Sequence, residues 1–290
     1  MDLRFMNSCM SGRLLAALFL CLAADISAAE PPVRPYVAVF RRGAKTLAYV
    51  AAKHAAGVDS ATFRTVRKTI EELKPQELIL EGFYFENENM RRSYLAGVAA
   101  CERADFAHCP EPMYAAQLAQ EKGIPFDGGD PTDREIVAAL ARHGYSAVDV
   151  AGFYLARMVP EWRREGLLDR ARFDAKADAF LRERLEMAHA PSKWEHKEFA
   201  VWYAKRAPAG KSPLDLTNED VAPRSGKGET YFHSLSARIE EVRERRILEK
   251  IAAALGRSDR VLVVYGGSHL DAERAELARR YGPEEDSKPY

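Results

Sequence analysis

The sequence predicts an α/β fold in which a mainly parallel sheet is flanked by helices and carries a helical insertion. Short apolar runs that end in glycine or charged residues, such as 260–265, are typical of strands buried on both faces. Between these runs lie segments with apolar residues three or four positions apart, such as 60–73, which predict helices. This alternation is typical of α/β proteins.

Taken in order, the first two strands are paired through a short turn at Gly43, and the remaining elements alternate. The predicted strands cover 36–42, 46–52, 77–80, 123–127 and 260–265, and the predicted helices cover 60–73, 88–100, 111–122, 233–255 and 271–281. Residues 131–207 have a mostly helical pattern and predict an insertion, and residues 208–229, rich in Pro, Gly and Ser, predict a long loop. We expect residues 30–290 to form a single domain.

Residues 1–29 have the pattern of a secretory signal peptide. Arg4 and Arg13 precede the apolar run 14–24, which is too short to span a bilayer, and small residues follow up to Ala29. The pattern predicts cleavage near Ala29, a secreted or periplasmic protein, and no stable membrane insertion afterwards. Large residues precede Cys21, so we do not expect a lipoprotein anchor there.

The mature chain keeps two cysteines, Cys101 and Cys109. An isolated pair in an exported protein favours a disulfide over a metal site, with two free thiols as the alternative.

The 43 basic and 43 acidic residues give no net charge, which argues against nucleic acid as a partner. The sequence contains no Walker loop, Gly-x-Ser-x-Gly, His-Glu-x-x-His or Gly-x-Gly-x-x-Gly motif.

Three predicted strands are followed by polar residues that can do chemistry: His54, Glu81 and His269. Ligands bind at the carboxyl edge of open α/β sheets, so parallel neighbouring strands would bring these three side chains together. Histidine at such an edge can act as a general base or bind a metal. Asp130, after the short strand at 123–127, is a weaker candidate metal ligand, because Asp-Gly-Gly-Asp is also a turn sequence.

Arg243 lies on the apolar face of the predicted helix 233–255, in the same row as Ile239 and Ile247. An unpaired buried charge is costly, so this position predicts a carboxylate partner, for which Glu81 is the candidate. The alternative is an arginine that extends along the helix edge into solvent.

Four segments together resemble the superfamily of erythromycin esterase, Tiki, TraB–GumN and ChaN. That superfamily carries two Gly-x-x-His elements, a glutamate that ends a strand, and an arginine on a helix before the second element. The matching segments are Ala51-Ala-Lys-His54, Leu78-Ile-Leu-Glu81, the helix with Arg243, and Gly266-Gly-Ser-His269. The resemblance spans about 36–130 and 230–282, and Ala51 stands where the family has glycine.

The resemblance implies an exported hydrolase that cleaves an ester or amide bond in a small-molecule or peptide substrate. His54 or His269 would be the general base, or both would hold a divalent metal (Mn, Zn or Co) with Glu81. Arg243 would stabilise the oxyanion and fix Glu81. The alternative is a non-catalytic envelope protein that binds haem or a metal in the same pocket, which the substitution at Ala51 favours.

Overall fold

The computed structural model describes residues 33–190, 193–208, 210–224, 226 and 228–288, so the predicted signal peptide lies outside the described residues. The strands are β1 (Tyr36–Arg42), β2 (Lys45–Ala52), β3 (Glu77–Leu80), β4 (Phe126–Gly128), β5 (Arg260–Gly266) and β6 (Glu284–Lys288). The helices are α1 (Ala61–Leu73), α2 (Glu88–Arg103), α3 (Glu111–Glu121), α4 (Asp133–Ala141), α5 (Ala147–Arg164), α6 (Phe173–Met187), α7 (His196–Arg206), α8 (Asn218–Val221), α9 (Tyr231–Arg257) and α10 (Gly267–Tyr281). The predicted α/β class is confirmed.

The six strands form one sheet in the order β4-β3-β5-β2-β1-β6. Strands β4, β3, β5 and β2 are parallel neighbours, and β1 pairs antiparallel with β2 as the predicted hairpin. Strand β6 was not predicted, because its sequence Glu-Glu-Asp-Ser-Lys has no apolar pattern. It pairs antiparallel with β1, and an edge strand of a sheet tolerates charged residues.

Helices cover both faces of the sheet, which explains the continuous apolar runs. Along β5, Leu262 and Val264 join the core under α1, α2 and α3, whereas Val261, Val263 and Tyr265 join the core under α9 and α10. Alternate residues of a strand point to opposite faces, so a strand buried on both faces has no polar positions.

The predicted insertion consists of helices, with no strand among its described residues. Helices α4 to α7 share a hydrophobic core with the first half of α9, through Phe232, Leu235 and Ile239. The second half of α9 packs on the sheet through Ile247 and Ile251. Arg243 therefore lies where the two cores meet on one helix. The predicted loop 208–229 contains a short 3-10 helix (Pro213–Asp215) and α8.

The last helix begins earlier than the prediction of 271–281. Gly266 ends β5 and caps α10, which starts directly at Gly267. His269 therefore lies in the first turn of a helix and not in a loop ahead of it. Within the described part of the chain, we find no helix with the length and apolar character needed to cross a membrane.

Candidate functional site

The three predicted strand ends meet at one edge of the sheet. Strand β5 lies between β3 and β2, with Val264 beside Leu80 and Gly266 beside Ala52. The backbone N–H of Gly266 donates to Oε2 of Glu81 at 2.6 Å. A Cβ atom on Gly266 would lie only 2.9 Å from Nε2 of His54. The side chains of His54 and Glu81 therefore close over Gly266, and the glycine leaves room for both.

His54 is held by a buried carboxylate. Its Nδ1 lies 2.7 Å from Oε1 of Glu111, and because an ionised carboxylate only accepts, Nδ1 carries the proton. The side chain of His54 is 68% exposed, whereas that of Glu111 is 1% exposed. The hydrogen bond to Glu111 raises the pKa of His54 against the effect of its burial, and the charge of Glu81 adds to the increase. In the neutral ring the lone pair of Nε2 is free, beside Glu81 and Gly266.

Glu111 was not among the predicted site residues. In the sequence it is the first residue of a helix, where an acidic side chain is explained by the helix dipole alone. Its position depends on tertiary contacts: a disulfide joins Cys101 to Cys109, and Pro110 forms a β-bridge with Ala56. These contacts bring the start of α3 to the segment that carries His54. The disulfide agrees with the predicted cysteine pair.

Arg243 is the buried cation of the site, with a side chain 12% exposed. Its Nη2 lies 3.2 Å from Oδ1 of Asp130 and 3.4 Å from Oε1 of Glu81, and its Nη1 lies 3.2 Å from Oε2 of Glu240. Asp130 also accepts the backbone N–H of Gly82 at 2.9 Å. The predicted pairing with Glu81 is present, and Asp130 serves first as a counter-ion of Arg243.

The charges around Glu81 determine its protonation. Burial alone would raise its pKa, but the hydrogen bond from His269 and the positive charge of Arg243 outweigh this and lower the pKa to about 2. Carboxylates also stabilise the guanidinium, because Asp130, Glu240 and Glu81 raise the pKa of Arg243 against the effect of burial. Glu81 is therefore a permanent anion at the sheet edge.

His269 differs from His54 in both burial and protonation. Its side chain is 7% exposed, Nδ1 lies 2.6 Å from Oε1 of Glu244, and Nε2 lies 3.4 Å from Oε1 of Glu81. Burial would lower its pKa, but hydrogen bonds to Glu244 and Glu81 raise it to about 9. An imidazolium has no lone pair, so the roles of His269 as base or metal ligand stay predictions that require loss of a proton.

Two groups of described residues could hold a metal ion, each with ligand atoms within 4.8 Å of one another. The first comprises His54, Glu81 and Glu111, and the second comprises Glu240, Glu244 and His269. The carboxylates of the second group already form ion pairs within the protein, because Glu240 pairs with Arg243 and Glu244 pairs with His269. The first group has a free imidazole lone pair and is the better candidate.

The charge balance of the edge also favours a cation. Five carboxylates lie at this edge, those of Glu81, Glu111, Asp130, Glu240 and Glu244, and the cationic groups that pair with them are Arg243, Arg157 and His269. Among the described residues, Oε2 of the buried Glu111 has no hydrogen-bond partner. Excess buried negative charge is unfavourable unless it is paired or coordinates a metal.

An open groove of about 500 Å³ begins two residues after Glu81. Its walls are mainly aromatic and apolar, with Phe83, Phe85, Met90 and Tyr94 among them. The ring centroids of Phe83 and Tyr94 are 3.9 Å apart. Oxygen of Phe83 accepts the backbone N–H of Asp130 at 3.4 Å, which ties the groove to the charged site.

No protein-family model matches the chain, and no curated protein matches it. The resemblance to the erythromycin esterase, Tiki, TraB–GumN and ChaN superfamily therefore depends on the motif residues and their spacing. The structure brings His54, Glu81, Arg243 and His269 together at one edge, and it adds Glu111, Glu240 and Glu244 to the set.

Proposed function

We propose that this protein is a hydrolase that cleaves an ester or amide bond with a water molecule activated beside His54 and Glu81. The observation that carries the proposal is the state of His54, in which Glu111 holds Nδ1 and Nε2 keeps a free lone pair beside Glu81. A histidine fixed in one tautomer by a buried carboxylate is the arrangement used for general bases.

In this proposal, Nε2 of His54 takes the proton from the attacking water as its oxygen bonds to the carbonyl carbon, and returns it to the leaving alkoxide or amine when the ester or amide bond breaks. Glu111 keeps the imidazole in the required tautomer and stabilises the imidazolium that forms, because its carboxylate already lies 2.7 Å from Nδ1. Arg243 holds Glu81 in place and keeps it ionised. The donors of Arg243 point to Glu81, Asp130 and Glu240, which supports the fixing role more than a direct contact with an oxyanion.

The residues also fit a divalent cation. His54 and Glu81 would be ligands, and Glu111 would either orient His54 through Nδ1 or add its unpartnered Oε2. A bound Mn²⁺, Zn²⁺ or Co²⁺ would supply a Lewis acid that lowers the pKa of water and polarises the carbonyl group.

The aromatic groove supports a substrate with an apolar group next to the cleaved bond, either a small molecule or a peptide. Phe83, which lines the groove, is two positions from Glu81, so an apolar group in the groove would leave the rest of the substrate at the charged edge. We place the protein outside the cytoplasm, because the predicted signal peptide and the disulfide between Cys101 and Cys109 are both typical of an oxidising compartment.

The test is thermal unfolding of the chelator-treated mature chain, with and without each of the three ions. An ion that binds only the folded protein raises stability by about 2.7 kcal/mol at a hundred times its Kd. The increase should be saturable, lost in His54→Ala and kept in His143→Ala, an exposed histidine on a loop of the insertion. A panel of chromogenic esters and amides then tests hydrolysis with the same two variants.

An ion-dependent increase in thermal stability that persists in His54→Ala would show that the ion binds elsewhere. Hydrolysis that persists in His54→Ala, with the fold intact, would refute the proposal as a whole. Hydrolysis that needs His54 but no metal would support general-base catalysis and exclude the metal-assisted mechanism.

The second candidate function is haem binding without catalysis. It is favoured by the exposed His54, whose Nε2 is free, and by the half-exposed aromatic walls of the nearby groove. Titration of the purified protein with haemin tests it. A visible absorption band that shifts on binding and is absent in His54→Ala would support this function, and an unchanged haemin spectrum would exclude it.

A further inference from the structure

A group of polar side chains extends from His269 into the protein interior. It comprises Tyr49 on β2, Glu244 on α9 and Glu273 on α10. Glu273 is 1% exposed and Tyr49 is 0% exposed. Among the described residues, neither oxygen of Glu273, nor the Tyr49 hydroxyl, nor Oε2 of Glu244 has a hydrogen-bond partner when all carboxyl groups are ionised. Buried polar atoms are rarely left unpaired, because each costs free energy.

One proton on Glu273 removes this conflict. Two ionised carboxylates can only accept hydrogen bonds, whereas a protonated carboxyl group donates one. Glu273 is four residues after His269 on α10, so both side chains lie on the same helix face. Both interact with Glu244, and Glu273 also interacts with Tyr49. A protonated Glu273 can donate a hydrogen bond to Glu244, and the hydroxyl of Tyr49 can donate a hydrogen bond to Glu273.

We propose that Glu273 is a positioning residue that stays protonated in the folded protein and donates a hydrogen bond to Oε2 of Glu244. Glu244 then holds Nδ1 of His269 with its other oxygen, Oε1. The chain Tyr49–Glu273–Glu244–His269 fixes the imidazolium that lies against Glu81. This inference rests on the proposed function, because it explains what orients His269 at that site. The hydrogen bond between Glu273 and Glu244 does not itself depend on hydrolysis.

The surroundings explain why the proton is placed on Glu273. Oε1 of Glu244 already pairs with Nδ1 of His269 at 2.6 Å, whereas Glu273 has no cationic partner among the described residues. Burial, followed by the charge and hydrogen bond of Glu244, raises the pKa of Glu273 to about 10 against smaller opposing effects of Tyr49 and Arg243.

The other charged groups around this cluster act on Tyr49. Burial raises its pKa well above the ordinary value, and the charges of Glu273, Glu81 and Glu244 add to this, together with Tyr265. Tyr49 is therefore a neutral donor in the same pH range.

The first experiment compares the pH dependence of unfolding for the wild type and Glu273→Gln in urea. A folded state that holds one extra proton loses stability as pH rises above the unfolded pKa. The unfolding equilibrium constant of the wild type should therefore increase about tenfold more per pH unit than that of Glu273→Gln, from about pH 6 to about pH 9. Glu276→Gln, the same change on the same helix but at a surface ion pair, should run parallel to the wild type. Parallel curves for Glu273→Gln and the wild type would overturn the proposal.

The second experiment follows the Nδ1 proton of His269 by NMR at one fixed pH. Glu273→Gln keeps an N–H donor for Glu244 and should keep this signal, whereas Glu273→Met should shift or lose it. An unchanged signal in Glu273→Met would show that Glu273 does not act through Glu244. Should Glu273→Met fail to fold, the urea comparison still decides. Neither readout uses a metal or a substrate, so failure here is distinct from failure of the proposed function.

Discussion

Replacement of Arg243 by methionine tests the central electrostatic feature of this protein. The guanidinium is 12% exposed and lies within 3.4 Å of oxygens on Glu81, Asp130 and Glu240. Methionine replaces the unbranched apolar stem and removes the charged guanidinium. The three carboxylates then remain buried, close together and without their shared cation.

The expected loss follows from the burial of the whole cluster. Removing one partner of a buried, hydrogen-bonded ion pair typically costs about 3–5 kcal/mol. Arg246→Met is the matched control, three residues further along the same helix. Arg246 is 32% exposed and pairs with Glu135 and Glu249 near solvent, so its loss should cost at most about 1 kcal/mol.

The pH dependence of the free energy of unfolding provides a second, independent test. In the wild type, the folded pKa of Glu81 is lowered to about 2 against burial, so its stabilising effect is present above the unfolded pKa of the carboxyl group. This effect is lost only as pH falls through the folded value. In Arg243→Met, the burial of Glu81 and Glu240 without this cation raises their pKa values, so these carboxyl groups take up protons as pH falls. The stability difference between wild type and Arg243→Met should therefore narrow from about pH 7 to about pH 4.

Urea unfolding followed by tryptophan fluorescence measures both quantities. Trp162 and Trp202 lie in the core of the insertion, which α9 joins to the sheet. The reasoning would be refuted if Arg243→Met lost no more stability than Arg246→Met, or if its deficit grew as pH fell.

A glycine substitution with its control, reduction of the disulfide and a pH series extend these tests. Gly266→Ala would place a Cβ atom 2.9 Å from Nε2 of His54, so titration should show ion binding weakened by about tenfold or more while the fold persists, whereas Gly256→Ala, in an open part of a helix, should bind ions normally and gain about 0.5–1 kcal/mol. Equal affinities for the two variants would contradict the placement of the ion. Reduction of the Cys101–Cys109 disulfide should remove about 2–3 kcal/mol of stability in urea and weaken ion binding, because it releases the loop that leads to the carboxylate partner of His54. Unchanged ion affinity after reduction would show that the loop does not hold the site. Ion affinity should decrease as pH falls through the raised pKa of His54, since a protonated imidazole cannot ligate, and calorimetry at several pH values would contradict this if affinity were constant.

Local patterns were sufficient to predict the sheet and the convergence of polar residues on it. Buried parallel strands require uninterrupted apolar runs, so the sequence predicted β2, β3 and β5. The residues that follow them were expected to meet at one edge if the strands were parallel neighbours, and the structure shows that they are. The buried position of Arg243 was visible for a similar reason, because a helix repeats its face every three to four residues.

The residues that complete the site were not predictable from local patterns. Glu111, Glu244 and Glu273 look like ordinary charged residues of helices, and their roles depend on contacts with His54 and His269, which come from distant parts of the chain. The polar strand β6 depends in the same way on the free edge of β1.

The sequence by itself therefore determined the fold class, the sheet edge at which a site would form, and the candidates His54, Glu81, Arg243 and His269. Only the tertiary structure decided the chemical state of each histidine. The pKa of an imidazole depends on its burial and on the charges beside it. The structure leaves His54 exposed beside Glu111, and it encloses His269 between Glu244 and Glu81 as a cation.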